Sequence, residues 1–311
     1  MSATETTDPR AEWKARRRQG LGASDLPAIL GLSPWASPFS VWADKSGLLP
    51  DEDDESDFME FGRWAELMIG PWFTDRTGLL VAGEQMECSH PNEPWMRCTL
   101  DGLVFPDRKP LAADLAMADA LGPLQIKTTA FGPRWDEIPA HIQAQEQWEL
   151  HVTGMDRVWI ATLHGRRLEV YELERDQDDI SMMVERARTF WHDHVLAGQP
   201  PEVDGSEATA RALAAIYPTA TKGKAADLDT VAGALEMLAE AKADAKDAEA
   251  RENAAKGVLA WALKDAEVGL VAGTEVCTYK HQTRKTTCPD CGAVRESQPF
   301  RVLLPKKASK A

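Results

Sequence analysis

No stretch of this 311-residue sequence approaches the run of about 20 apolar residues that a bilayer-spanning helix needs. The opening residues, Met1-Ser2-Ala3-Thr4-Glu5, are polar and lack the apolar core of a secretory signal. Cysteine is scarce: five residues, an odd number, spread widely, which argues against a disulfide framework. Internal repeats are lacking. Positive charge is also short, with 35 Lys and Arg against 50 Asp and Glu and a net charge of −15. Such a surface repels phosphate and argues against a general nucleic-acid coat protein, while leaving room for an enzyme that holds DNA in a local basic groove. The expectation is a cytoplasmic protein without a membrane partner; the chain is 43% hydrophobic and long enough for one large or two modest domains.

The charges are unevenly placed. Asp51 to Asp57 is an acidic block, read as a solvated loop; Lys14, Arg16, Arg17 and Arg18 form one basic cluster, and Arg301, Lys306, Lys307 and Lys310 another. Residues 1–12 are expected to be disordered. Short helices are expected at Ser24–Leu30 and Pro38–Lys45, and a longer one at Asp57–Thr77 that Pro71 kinks or splits. Segments around 80–88, 95–105 and Leu124–Thr129 read as strands. Ile138–Thr153 reads as an amphipathic helix closing at Gly154, followed by two strands, Arg157–Leu163 and Arg167–Glu174, joined by a tight connection, and a helix over Ile180–Ala197. This order describes an α/β or α+β core. Gln199 to Ser206 is the linker candidate, which places one domain at 13–202 and a C-terminal helical region with a small extension at 203–311. Residues 225–267 read as one long helix or a helical hairpin, with Leu228, Val231, Leu235 and Leu238 as a stripe suited to packing against the core or another protomer.

One constellation carries chemistry. In the strand Leu124-Gln125-Ile126-Lys127-Thr128, side chains alternate, so Leu124 and Ile126 face a core while Gln125 and Lys127 share the opposite side. Asp101 ends an earlier strand-like segment, and Gly102 allows a tight turn after it. Phosphodiester hydrolysis needs a divalent metal held by oxygen ligands and a charged group near the attacking water; an Asp on one strand with an amide oxygen and a Lys on its neighbour supply those parts. The same residues also read as a hairpin turn and a solvent-facing lysine. In the same way, Ser24 before an apolar helical stretch reads as a plain N-cap or as part of an anion site.

Several separated segments, in order, resemble the YqaJ-like viral recombinase family, which includes lambda exonuclease and has the PD-(D/E)XK nuclease fold. They are Trp13 to Arg17 with Gly20 to Asp25; Ile29 to Trp35 with Ser37-Pro38 and Val41-Trp42; Phe61 to Glu66; Asp101-Gly102; Gln125-Ile126-Lys127; Ile138-Pro139 leading to Gln145 and Gln147; Val152-Thr153-Gly154; and Phe190-Trp191. The resemblance implies a nuclease core with a central mixed sheet flanked by helices, plus a helical C-terminal extension. It implies that Asp101 is a central ligand of Mg²⁺ or Mn²⁺, with Gln125 and Glu66 completing the metal site. Lys127 would orient or activate the attacking water, and Gln145 would fix that water or the scissile phosphate. Arg17 and Ser24 have the spacing at which the family contacts a DNA 5′-phosphate, and a guanidinium fork suits that group. Gln125 departs from the family, which usually has Glu there. An amide oxygen can still ligate Mg²⁺ but brings no negative charge.

The expected activity is 5′-to-3′ exonuclease action on double-stranded DNA ends. It would produce 3′ single strands for a phage annealing protein in the cytoplasm of a bacterial host, from a trimeric homo-oligomer. The alternatives are a DNA-end-binding or adaptor protein whose metal grip Gln125 has weakened, and an endonuclease on the same fold. In the C-terminal part, Cys288-Pro289-Asp290-Cys291 reads either as half of a structural zinc site completed by Cys277 and His281, or as a free-thiol loop.

Overall fold

The computed structural model describes residues 9–50, 57–106, 117–129, 134–287 and 294–306. Their contacts divide the chain into a first unit ending at Ala220 and a second beginning at Thr221.

The first unit opens with α1 (Pro9–Arg17), so residues 9–12, expected to be disordered, are helical; Glu12 in its first turn and Lys14, Arg16 and Arg17 in its last turn suit the helix dipole. Then come α2 (Leu26–Ile29), α3 (Pro38–Lys45) and α4 (Asp57–Thr77). Ser37 caps α3 by accepting from the Ser40 amide, while the Ser40 hydroxyl serves the Ser37 backbone. α4 is one helix through Pro71: Pro71 and Leu67 are both exposed, so water can serve the carbonyl left without its amide partner.

The strands are β1 (Leu80–Ala82), β2 (Met86–Ser89), β3 (Arg97–Leu100), β4 (Gly102–Phe105), β5 (Gly122–Thr129), β6 (Arg157–His164) and β7 (Arg167–Glu174). The segments expected as single strands at 80–88 and 95–105 are each divided. β2 and β3 form a separate two-stranded sheet, whereas β1, β4, β5, β6 and β7 lie side by side in a five-stranded mixed sheet. β5 and β6 are parallel and the other neighbours antiparallel. A parallel pair needs a crossover, supplied here by α5 (Ala140–Thr153), which ends on Gly154 in the left-handed conformation at φ 73°. α6 (Gln177–Thr189) follows, capped by Asp176, and runs into a π-helical turn at Phe190–Leu196. The core is an α/β sandwich. Ala65, Ile69 and Phe73 of α4 pack on Leu124, Ile126 and Ala161 on one side of the sheet. A larger cluster joins α2, α3 and α6 to Trp148 of α5. The alternation along β5 is therefore as the sequence indicates.

α5 differs from the amphipathic helix expected. Residues 146–150, Glu146 and Glu149 among them, are all buried, because the helix is covered on nearly every side. The domain boundary differs as well. α7 (Glu207–Ile216) belongs to the first unit: Ser206 caps it, Thr209 shares a 2.7 Å hydrogen bond with Ser37, and Ala212 joins the core.

The second unit has one long helix, α8 (Ala232–Leu263), rather than a hairpin. Leu228, Val231, Leu235 and Leu238 are all exposed. Beyond α8 lie β8 (Val268–Val271), β9 (Thr274–Gln282), β10 (Lys285–Thr287), β11 (Val294–Glu296) and β12 (Phe300–Pro305). They form a three-stranded antiparallel sheet, β12-β9-β8, and a separate β10–β11 pair.

Gly122 shows how tightly the central sheet closes. A Cβ there would stand 2.0 Å from the Arg157 carbonyl oxygen, a backbone atom that cannot step aside. Gly122→Ala is expected to cost about 3 kcal/mol, at the upper end for overpacking, read as a fall in the denaturant midpoint; an unchanged midpoint would mean that the strands are not so closely apposed.

Candidate active site

Asp101 occupies the point where the chain leaves the β2–β3 sheet and enters the central one. β4 pairs with β5 from Gly102↔Leu124 to Val104↔Gly122. One step beyond that ladder, the Asp101 carboxylate takes the place of a strand: its Oδ2 accepts from the Ile126 amide at 2.7 Å and from Gln125 Nε2 at 2.7 Å. Gly102 does not serve a turn, as the sequence suggested. It begins β4, and a Cβ there would come within 2.9 Å of Val81 Cγ1, so the position is kept bare by packing.

Lys127, on the same side of β5 as Gln125, donates from Nζ to Gln145 Oε1 at 2.9 Å. Gln145 stands on α5, and its amide nitrogen lies 3.5 Å from Glu149 Oε1. Glu66, on α4, accepts from Gln85 Nε2 at 2.9 Å; Gln85 itself is held at φ 55°, a left-handed conformation unusual for a residue with a side chain. Burial, and after it the negative charge of Asp101, raise the Glu66 carboxyl above its ordinary range. Burial likewise raises Asp101, opposed by the Ile126 amide and the Lys127 ammonium. Asp101 and Gln125 are thus joined by one hydrogen bond and Lys127 and Gln145 by another, the Lys127 ammonium is close enough to act on the charge of Asp101, and Glu66 is close enough for its charge and that of Asp101 to interact.

The oxygens present suit a hard divalent cation that keeps most of its water. Gln125 Oε1 is buried and has no hydrogen-bond partner, and it belongs to the amide that touches Asp101. Among the described residues no group of three or more His, Cys, Asp or Glu side chains is arranged to hold a metal by itself. Mg²⁺ fits such a sparse donor set, because it accepts one or two carboxylates and fills its shell from water and phosphate.

The other expected residues are placed differently. Ser24 is exposed and does not cap α2; Asp25 holds the cap position, and α2 is a single turn with little dipole. Asp25, which sequence reasoning passed over, is the organising residue of this corner. Its carboxylate accepts from the Gly22 amide at 2.7 Å and pairs with Lys45 at 2.7 Å, both side chains nearly or fully buried. Arg17 reaches to 3.9 Å from Asp25, and Lys45 also donates to the Arg17 carbonyl. Removing one partner of a buried pair of this kind costs about 3–5 kcal/mol. Cys277 and His281 do not meet: both lie in β9, four residues apart along an extended strand, or about 13 Å. Cys277 is buried and His281 exposed, so they cannot share one zinc ion, and Cys288 and Cys291 lie outside the described residues.

Residues 12–156 match the YqaJ-like viral recombinase domain, a span that contains Arg17, Ser24, Glu66, Asp101, Gln125, Lys127 and Gln145. The uncharacterized protein YqaJ of Bacillus subtilis (strain 168) is 31% identical over 284 residues, which cover 86% of this chain and 82% of that protein. Among solved structures, the alkaline exonuclease LHK-Exo of Laribacter hongkongensis aligns with a TM-score of 0.46 at 17% identity, over 61% of this chain and 94% of the other. A phage-related exonuclease from Haemophilus somnus 129PT aligns at 0.36 and 12%, over 60% and 99%.

Two further acids stand behind Lys127. Glu146 and Glu149 are buried next to one another on α5. Both oxygens of Glu146 and Oε2 of Glu149 lack a hydrogen-bond donor. Burial pushes Glu146 up to about 8, against the pull of Lys127 and with the push of Asp101; Glu149 is raised by burial and by the charge of Glu146. A carboxyl raised on folding binds its proton more tightly in the native state, so its contribution to stability is complete below about 4.5 and is lost as pH climbs toward 8. Glu146→Gln is expected to be increasingly more stable than the parent between pH 4.5 and 8, with the gap level above that. Denaturant titrations of both proteins across this range check it; a pH-independent gap would remove the raised carboxyl.

Proposed function

The chain belongs to the YqaJ-like viral recombinase family, and on that premise we propose that it is a metal-dependent nuclease acting on the ends of double-stranded DNA. The observation that carries this reading is the meeting of Asp101, Gln125 and Lys127 at the middle of β5, with Gln145 of α5 holding the ammonium. Asp101, the amide oxygen of Gln125 and Glu66 would hold Mg²⁺ or Mn²⁺. The cation supplies positive charge for the phosphodiester and lowers the pKa of a bound water. Lys127 then places its ammonium against the attacking water and the charge that develops on phosphorus. Gln145 fixes the direction of that ammonium by accepting one of its three protons.

The finer reading is a 5′-to-3′ exonuclease that leaves a 3′ single strand for an annealing protein. It would act in phage or prophage recombination in the cytoplasm of a bacterial host, as a homo-oligomer, a trimer by family resemblance. Arg17, held near Asp25 at the side of α1, would meet the 5′-phosphate. A structural zinc ion at Cys288 and Cys291 would need ligands other than Cys277 and His281 together. One observation favours a second reading: Gln125 is neutral and donates to Asp101 rather than adding charge beside it. A protein that binds DNA ends without cutting them is therefore the alternative.

Digestion of linear and circular plasmid with Mg²⁺ or Mn²⁺ separates these two readings and an endonuclease on the same fold. Linear-only digestion is expected, with Asp101→Ala and Lys127→Ala each slower by at least about 100-fold; equal digestion of circles would indicate an endonuclease, and no digestion the binding protein. Arg17→Ala is expected to erase a preference for 5′-phosphorylated over 5′-hydroxyl ends, measured on paired substrates; a preference that persists would reassign the residue.

A further inference from the structure

The sheet β12-β9-β8 has two unlike faces. Register pairs Tyr279 with Leu303 and His281 with Arg301 on one of them. That face is tied to the end of α8: Leu263 approaches Gly269 beside Cys277, and the Arg301 guanidinium lies 3.8 Å from the centre of the Tyr279 ring while donating to the carbonyls of Lys264 and Ala266. The opposite face carries Lys280 across from Val302 and Gln282 across from Phe300, with Thr278 across from Leu304. Lys280 and Gln282 are exposed, Leu304 is half exposed, and Phe300 is partly open. Arg284, just past β9, lies over the Phe300 ring at 5.4 Å, which brings a second cation to this face. Of the acids at this end, Glu275 pairs with Lys306 and Glu296 with Lys285; Lys280 and Arg284 form no ion pair among the described residues.

This face sits in a segment charged against the rest of the chain. Residues 268–311 hold eight Lys and Arg against three Asp and Glu, in a protein whose net charge is −15. A face that carries an aromatic ring, aliphatic side chains and cations, with no acid among Thr278, Lys280, Gln282, Phe300, Val302 and Leu304, suits unstacked bases and the phosphates that join them. A duplex offers a flat sheet only its phosphates, leaving Phe300 and Val302 without a partner. We propose that this face of the β12-β9-β8 sheet binds single-stranded DNA, with Lys280 and Arg284 on the phosphates and Phe300 against a base. The inference rests on the nuclease reading in one respect only: digestion of one strand of a duplex creates the single strand that this face would hold. It assigns the C-terminal unit a role in keeping the product strand, separate from the chemistry at Asp101.

The test is equilibrium binding of the full chain, with metal chelated, to a labelled 25-mer single strand and to a duplex of the same length, across a range of salt. Lys280→Glu with Arg284→Glu is expected to weaken single-strand binding by at least about tenfold, and to lower the slope of log affinity against log salt by about 1.4, two phosphates at about 0.7 each. Phe300→Leu is expected to weaken binding about fivefold or more at an unchanged slope, as loss of a stacking platform without loss of charge. Lys246→Glu with Lys256→Glu, an equal charge change on α8, is expected to do neither. Lys280→Gln with Arg284→Gln carries the same expectation if the reversed pair does not fold. Unchanged single-strand affinity in the Lys280 and Arg284 variants overturns the proposal, as does an equal loss in the α8 control or a loss confined to the duplex. Metal-dependent digestion of linear plasmid, measured on the same variants, is a separate readout: digestion with unaltered single-strand binding sinks this inference alone, and loss of binding in a chain that never digests sinks only the nuclease.

Discussion

The Asp101 carboxylate does the work of a missing strand. Where β4 begins, the ladder to β5 has no further backbone partner to offer, and Oδ2 accepts the Ile126 amide in its stead. That bond fixes the carboxylate against the strand that carries Gln125 and Lys127, and the same oxygen receives the Gln125 amide. A displaced Asp101 would leave a buried N–H unsatisfied, which is costly on its own. The position of the acid relative to the lysine is therefore set by the requirement that backbone hydrogen bonds be made, before any substrate or cation is present. Lys127 is located in turn from the other side of the sheet, by a helix whose ends are fixed by the β5-to-β6 crossover.

What could be read in advance followed from periodicity. The two-residue alternation of β5 separated Leu124 and Ile126 from Gln125 and Lys127, and the structure places the first pair under α4 and the second toward α5. Helix and strand order through β7 was visible for the same reason. The division of residues 80–88 and 95–105 between two sheets was not, since which strand pairs with which is decided by contacts distant in sequence. Nor was the burial of α5. Glu146 and Glu149 look like surface residues of an amphipathic helix, and only the number of elements packed around α5 shows that they are enclosed. Asp25 and Lys45 are twenty residues apart, and neither advertises the other; their pairing replaced the simpler expectation that Ser24 caps a helix. The same limit applied to Cys277 and His281, whose spacing suits a loop but falls in a strand.

Electrostatics within the first unit is governed by exclusion of water rather than by net charge. The carboxyls of Glu66, Asp101, Glu146 and Glu149 are all raised with burial as the largest cause, and Lys127 is the cation that Asp101, Glu146 and Glu149 share. A cation entering such a group gains from every one of them. The overall −15 of the chain says little about this place, just as it conceals the basic character of the C-terminal strands. Opposite local charges at separate places let one acidic protein present surfaces of different kinds.

The enclosed glutamates on α5 also bear on how the residue at 125 can change. A glutamate there would become a further acid around a single lysine, with Asp101 in contact and Glu146 and Glu149 already holding their protons beyond the ordinary carboxyl range. The neutral amide at 125 and the acids on α5 are consequently not independent traits. An acid at 125 is accommodated more easily with fewer enclosed acids on α5, because each carboxyl added around one lysine makes the next harder to ionise.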